Sequence, residues 1–117
     1  MSESAKEITW AGGTHAFDLT SRRVAWMLLQ AQHPFPGQYG TTPAACLKRF
    51  EESIYSPDDI ERVLRIGLIG GGLSEAEADA LVAEHVRGKP LAPNAAVAFE
   101  VLASLFVGVN DDAGTSA

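Results

Sequence analysis

Three histidines (His15, His33 and His85), one cysteine (Cys46) and the run Gly70-Gly71-Gly72 are the residues of this 117-residue chain whose types most readily suggest chemistry. A structural zinc site takes four Cys or His ligands at characteristic short spacings. Here no histidine has a second His or Cys at ligand spacing, and a single thiol completes neither a zinc site nor an internal disulfide. Cys46 reads as a small buried hydrophobe on a helix and His85 as a partly buried helix residue. Glu75, Glu77, Asp79 and Glu84 read as a solvated face and a favourable first helical turn. No Ser/His/Asp or Cys/His arrangement stands in a recognisable context, so we expect no enzyme, no cofactor and no metal.

The triple glycine invites comparison with a phosphate-binding loop, but no Lys-Ser/Thr pair follows it and acidic residues crowd the next helix start. The reading it supports is a tight turn between helices, with Gly67 and Gly70 allowing close helix contact. A helix–glycine turn–helix also has the outline of a DNA-reading motif. A recognition helix needs basic and amide side chains, whereas Glu75-Ala76-Glu77-Ala78-Asp79-Ala80 supplies acids. Charge argues the same way. Residues 1–55 carry five basic and five acidic residues, net zero, and residues 56–117 carry four basic and ten acidic, net −6. Such a field repels phosphate backbones, so no nucleic acid is expected as partner. No apolar run reaches the roughly 18 residues of a membrane span, and Met1–Glu7 lacks the basic start and apolar centre of a secretion signal. The expected location is therefore cytoplasmic, with no membrane contact.

The elements that must position these residues follow from local pattern. Glu7–Ala11 and Thr14–Leu19 flank Gly12-Gly13, which predicts a hairpin pairing Trp10 with His15 and Ile8 with Phe17. Ile8, Trp10, His15, Phe17 and Leu19 then share one face. A lone hairpin is marginal in water and must pack on something. Thr20 or Ser21 starts a first helix to about His33, with Trp26 on the polar side beside Arg22 and Arg23, and Pro34 and Pro36 end it. Thr42-Pro43 starts a second, with Leu47, Phe50 and Ile54 inward and Lys48, Arg49, Glu51 and Glu52 outward. Ser56-Pro57 starts a third, whose stripe is Ile60, Val63, Leu64, Gly67, Leu68 and Gly71; Asp58–Arg62 and Glu61–Arg65 are i,i+4 pairs. Ser74 and Glu77 form a capping box opening a fourth helix to about Arg87, capped by Gly88. A fifth spans about Pro93 to Val107, with Val97, Ala98, Val101, Leu102, Leu105 and Phe106 on one side. The expected fold is mainly α: a small N-terminal β-hairpin packed on a bundle of about five short helices, a single domain over 7–108 with flexible termini at 1–6 and 109–117.

Trp26 lies off the apolar side of its helix, Ile66 and Ile69 lie off the core stripe of theirs, and Phe99 adds apolar surface to a helix that is apolar nearly all round. Together they exceed what five short helices need for a core. They are the candidate protein-binding residues, suited to gripping a partner helix or to forming a homo-oligomer.

The segment Asp59-Ile60-Glu61-Arg62-Val63-Leu64-Arg65-Ile66-Gly67-Leu68-Ile69-Gly70-Gly71-Gly72-Leu73-Ser74 resembles the signature of the gene-transfer-agent tail protein family, itself similar to phage tail assembly chaperones. The continuation through Glu77-Ala78, Leu81-Val82 and Pro90-Leu91 to Gly108 also fits, as does Phe17-Asp18-Leu19-Thr20. Between these the chain departs from the family pattern, with Ala25-Trp26-Met27-Leu28-Leu29 and a Pro- and Gly-rich stretch to Thr42. The resemblance implies a tail assembly chaperone that binds the tape measure protein, and possible contact with the tail tube protein. The alternatives are a structural tail tube subunit and, more distantly, an acidic helix-turn-helix regulator.

Overall fold

The computed structural model describes residues 5–29 and 35–108, apart from the side chains of Trp26 and Leu29. Five helices and one hairpin follow in chain order: β1 (Lys6–Trp10), β2 (Gly13–Phe17), α1 (Arg22–Leu29), α2 (Pro43–Glu51), α3 (Pro57–Gly70), α4 (Glu75–His85) and α5 (Leu91–Val107). The fold is mainly α with a two-stranded antiparallel sheet, as the sequence predicts. Of the termini expected to be flexible, 1–6 and 109–117, residues 1–4 and 109–117 lie outside the described residues, as do the end of the first helix near His33 and the Trp26 side chain. Lys6, placed in the N-terminal tail by sequence, is in β1 opposite Phe17 and pairs with Glu100 of α5 at 3.3 Å.

The hairpin register differs from expectation by two residues. Ile8 pairs with His15 and Trp10 with Gly13. The turn is Ala11-Gly12, with φ of 54° and 80°. Two residues with positive φ make the tight turn whose twist matches the strands, whereas the expected pairing needs a four-residue loop. A shift of two leaves every side chain on its predicted face. Trp10 and Phe17 are buried, Ile8 and His15 half-buried, and Glu7, Thr9 and Thr14 exposed.

Each middle helix starts on its predicted cap. The Thr42 hydroxyl accepts from the Ala45 N–H (3.1 Å). Ser56 and Asp59 form a capping box on α3, and Ser74 and Glu77 one on α4. Hydrogen bonds from Ser74 hold the Glu77 carboxyl below its ordinary pKa. The C-terminus of α3 closes through Leu73 N–H to Leu68 O and Gly72 N–H to Ile69 O, both 3.1 Å, with Gly72 at φ 125°. The end of α2 uses the same device with Ser53 at φ 61°. α4 ends two residues before the expected Arg87, at His85, and α5 begins two before Pro93, at Leu91.

α3 is the axis of the molecule, packed against β2, α1, α4 and α5. This encirclement explains two departures from the amphipathic reading. Ile66 and Ile69, off the predicted core stripe, are buried at 7% and 4% exposure, because α3 has neighbours on nearly every side. The Glu61–Arg65 pair does not form: Arg65 reaches Asp79 and Glu75 on α4, and Glu61 pairs with Arg87. Asp58–Arg62 forms as predicted, at 2.6 Å. On α2 the inward side is Ala45, Cys46, Arg49 and Phe50. Arg49, expected in solvent, is buried, and Ile54, expected inside, lies beyond the helix end and is exposed.

Candidate protein-contact surface

The triple glycine is where the hairpin lands on α3. A Cβ on Gly70 would collide with the Asp18 carbonyl oxygen, and one on Gly71 with that of Ala16. The backbone can approach only because both residues lack a side chain. The Asp18 N–H donates to the Gly67 carbonyl (3.0 Å) at this junction. Arg23 seals it from the α1 side, Nε donating to the Ile69 carbonyl (2.7 Å) and Nη2 to that of Leu73 (2.9 Å). The close contact predicted for Gly67 and Gly70 is therefore made largely with the end of β2; Gly67 also faces Val101 of α5. Gly70, Gly71, Gly72, Ser74 and Glu77 thus form a turn that seats the hairpin and launches α4.

A second anchor joins the hairpin to the helices at the far end of the sequence. Trp10 Nε1 donates to Asn94 Oδ1 (2.7 Å), and Asn94 Nδ2 donates to the His85 carbonyl (3.1 Å). The Trp10 ring meets His15, Phe17 and His85 edge-on at 5.5–6.0 Å. His15 and His85 are thus packing partners of one indole. Among the described residues no group of three or more His, Cys, Asp or Glu could hold a metal ion, and no helix is long and apolar enough to cross a membrane.

Of the four candidate contact residues, the Trp26 side chain lies outside the described residues and the other three are not brought together on one surface. Ile66 and Ile69 belong to the core, and Ile66 forms part of the floor of a polar cleft between α3 and α4. Neither offers a side chain to a partner in this conformation. That cleft, about 270 Å³, is lined by Arg62, Arg65 and Arg87, each already paired with an acid of the same chain. Phe99 is the candidate that stays outside, at 39% exposure. It belongs to a larger apolar surface that the sequence reading placed only in part. Leu91, Ala92, Ala96, Phe99, Phe106 and Val107 of α5 are all exposed, with Glu100 the charged residue of that side. Phe106 was expected inward. It is 47% exposed, whereas Ser104 and Leu105 of the same turn are buried and half-buried, so the turn is covered on one side only. The helix of 17 residues extends about 25 Å at 1.5 Å per residue, so the face is long and convex. Asn94, Ala95, Ala98, Val101, Leu102 and Ser104 are its buried side.

A shallow apolar depression of about 280 Å³ is lined by Leu19, Ala25, Leu28, Pro43 and Leu105. The solvent side of α4 carries Glu75, Glu77, Asp79 and Glu84, a face of the wrong sign for a DNA-reading helix.

The family described as "Phage tail tube protein, GTA-gp10" matches residues 3–108, nearly the whole chain. The chain belongs to this family. No curated protein and no solved structure matches it. The match takes in the hairpin, the glycine junction and all five helices, and so extends through residues 21–49, where the sequence comparison saw a departure. A role among tail proteins of phages or gene transfer agents follows from membership in the GTA-gp10 family. Among the described residues, four large exposed apolar side chains, Leu91, Phe99, Phe106 and Val107, belong to α5.

Proposed function

We propose that this chain is a non-catalytic tail-building protein that docks on other tail proteins through the outer face of α5. One observation carries the proposal: on α5, Leu91, Ala92, Ala96, Phe99, Phe106 and Val107 are exposed, with Glu100 the charged residue of that side. Exposed contiguous apolar surface on a small folded protein costs solubility and is characteristic of interaction sites. The first reading, favoured by the family description, is a subunit of the tail tube. Neighbouring subunits would then cover the α5 face, in a ring or stack of head-to-tail contacts.

The second reading is a chaperone that holds the tape measure protein during assembly. The geometry that supports it is the location of the apolar surface on one helix, which suits packing against another helix. The net charge of −6 would keep the loaded complex soluble. The two readings separate in purified particles: a tube subunit is present in many copies, whereas a chaperone is absent and co-purifies with a tape-measure fragment. Both use the same surface. Phe99→Asp and Phe106→Asp should therefore leave the fold intact and weaken docking by about 2 kcal/mol or more, roughly thirty-fold in Kd. Unchanged docking by both folded variants removes α5 as the contact face.

A further inference from the structure

The backbone of loop 35–41 is held to the helices by one side chain, while at the surface the Tyr39 hydroxyl donates to Glu52 and Lys48 lies over the Tyr39 ring. Arg49 leaves α2 and places its guanidinium inside the loop. Nη1 donates to the carbonyls of Gln38 (2.8 Å) and Gly40 (3.1 Å), and Nη2 to that of Phe35 (2.9 Å). Nη2 and Nε also donate to the two carboxylate oxygens of Asp59, at 2.7 and 2.9 Å. A guanidinium has five N–H groups, and these contacts occupy all of them. The loop's own bonds, Phe35 N–H to Thr41 O and Gly40 N–H to Gly37 O (both 3.2 Å), close it on itself. Among the described residues, the hydrogen bonds reaching the backbone of 35–40 from α2 or α3 all come from Arg49.

Strain and fit point to the same side chain. Tyr39 sits at φ 72°, a conformation unfavourable for any residue with a Cβ, so the surroundings must impose it. A Cβ on Gly37 would press on the guanidinium, 2.6 Å from its central carbon. Phe35 and Cys46 are both fully buried, and the Cys46 thiol lies against Arg49. Asp59 has a second role, accepting from the Ser56 N–H (3.0 Å) in the α3 capping box, so part of its bonding survives without Arg49. The glycine junction and the Trp10–Asn94 anchor do not involve the loop.

We propose that loop 35–41 is a latched strap, which opens as a unit when Arg49 releases it and uncovers Phe35 and Cys46 while the hairpin and α3–α5 stay folded. Opening of this kind is drawn from the low-stability end of a protein's motions. It would give the molecule apolar surface that the closed form hides.

Cys46 is the chain's single cysteine and so reports strap opening directly. The test is its alkylation by iodoacetamide in the full-length protein at fixed pH and increasing, sub-denaturing urea. In the wild type the rate should be nearly independent of urea, because local opening exposes little surface. Arg49→Lys keeps a cation beside Asp59 but cannot span three carbonyls, and should speed labelling about tenfold or more, again with little dependence on urea. Gly37→Ala, which pushes on the guanidinium from the loop side, should act in the same direction and serves if the first variant does not fold. Labelling that follows global unfolding across the urea series in every folded protein overturns the proposal. So does an unchanged rate in both variants.

Discussion

Gly70→Ala tests the junction on which the fold is built. The added Cβ would collide with the Asp18 carbonyl oxygen, a backbone atom that cannot rotate away. Overpacking costs about 1–3 kcal/mol when side chains must yield. Here the end of β2 must retreat from α3, straining the Asp18 N–H to Gly67 O bond as well, so a cost of about 3 kcal/mol is reasonable. Alanine's higher helix propensity returns at most about 1 kcal/mol at this last helical position. The net loss is about 2 kcal/mol, or roughly 8 °C in Tm for a domain of this size. Gly67→Ala is the matched comparison. Its Cβ would meet only side-chain atoms, Val101 Cγ1 at 3.1 Å and Phe17 Cδ2 at 3.2 Å, which can give by a few tenths of an ångström. Propensity then offsets most of the cost, and the variant should lie within about 1 kcal/mol of wild type. Urea unfolding followed by circular dichroism, with the m-value checked for constancy, measures both. Equal stability of Gly70→Ala and wild type would refute the junction as described, as would Gly67→Ala being the worse of the two.

Other substitutions probe separate parts of the fold. Ser53→Gly should raise stability by about 0.5–1 kcal/mol in the same urea assay, because Ser53 holds a left-handed φ of 61° that glycine adopts without penalty. Asn94→Leu leaves the buried Trp10 N–H without its acceptor and should cost about 1–3 kcal/mol, with a change in tryptophan fluorescence marking the loosened hairpin. Burial pushes the Cys46 thiol up to about 12 from an ordinary value near 9. Above pH 9 the unfolded chain loses this proton while the folded one retains it, so stability falls as pH rises from about 9 toward 12. Cys46→Ala should flatten that alkaline decline in thermal melts, and an unchanged slope would show that the thiol does not contribute.

The starts of α2, α3 and α4 and the end of α3 were legible in the amino-acid order because their causes lie within one turn of chain, whereas the end of α4 and the start of α5 each fell two residues from the expected place. Thr42-Pro43, Ser56-Pro57, Ser74 with Glu77 and the glycines after α3 all act on backbone groups three or four residues away. The outward faces of the hairpin were equally legible, since side-chain alternation survives a shift of two in register. Of the candidate contact residues, Phe99 stands outside as read, on a helix too apolar to bury on all sides. Arg49 left a partial trace: it shares a helical stripe with Ala45, Cys46 and Phe50, and Asp59 stands three residues after Ser56 at the capping-box position.

Tertiary structure decided what depends on partners far along the chain. Nothing near Ile66 or Ile69 announces that α3 will be encircled, so a rule that assigns one buried stripe per helix leaves both outside. Asn94 is 84 residues from the indole it holds, and the hairpin's landing site on Gly70 and Gly71 is a matter of backbone approach rather than side-chain type. Composition and periodicity determined that there would be a small acidic helical domain with apolar surface to spare. Which residues carry that surface was set by how the elements close around α3, because burial is a property of neighbours and the neighbours here are mostly remote in sequence.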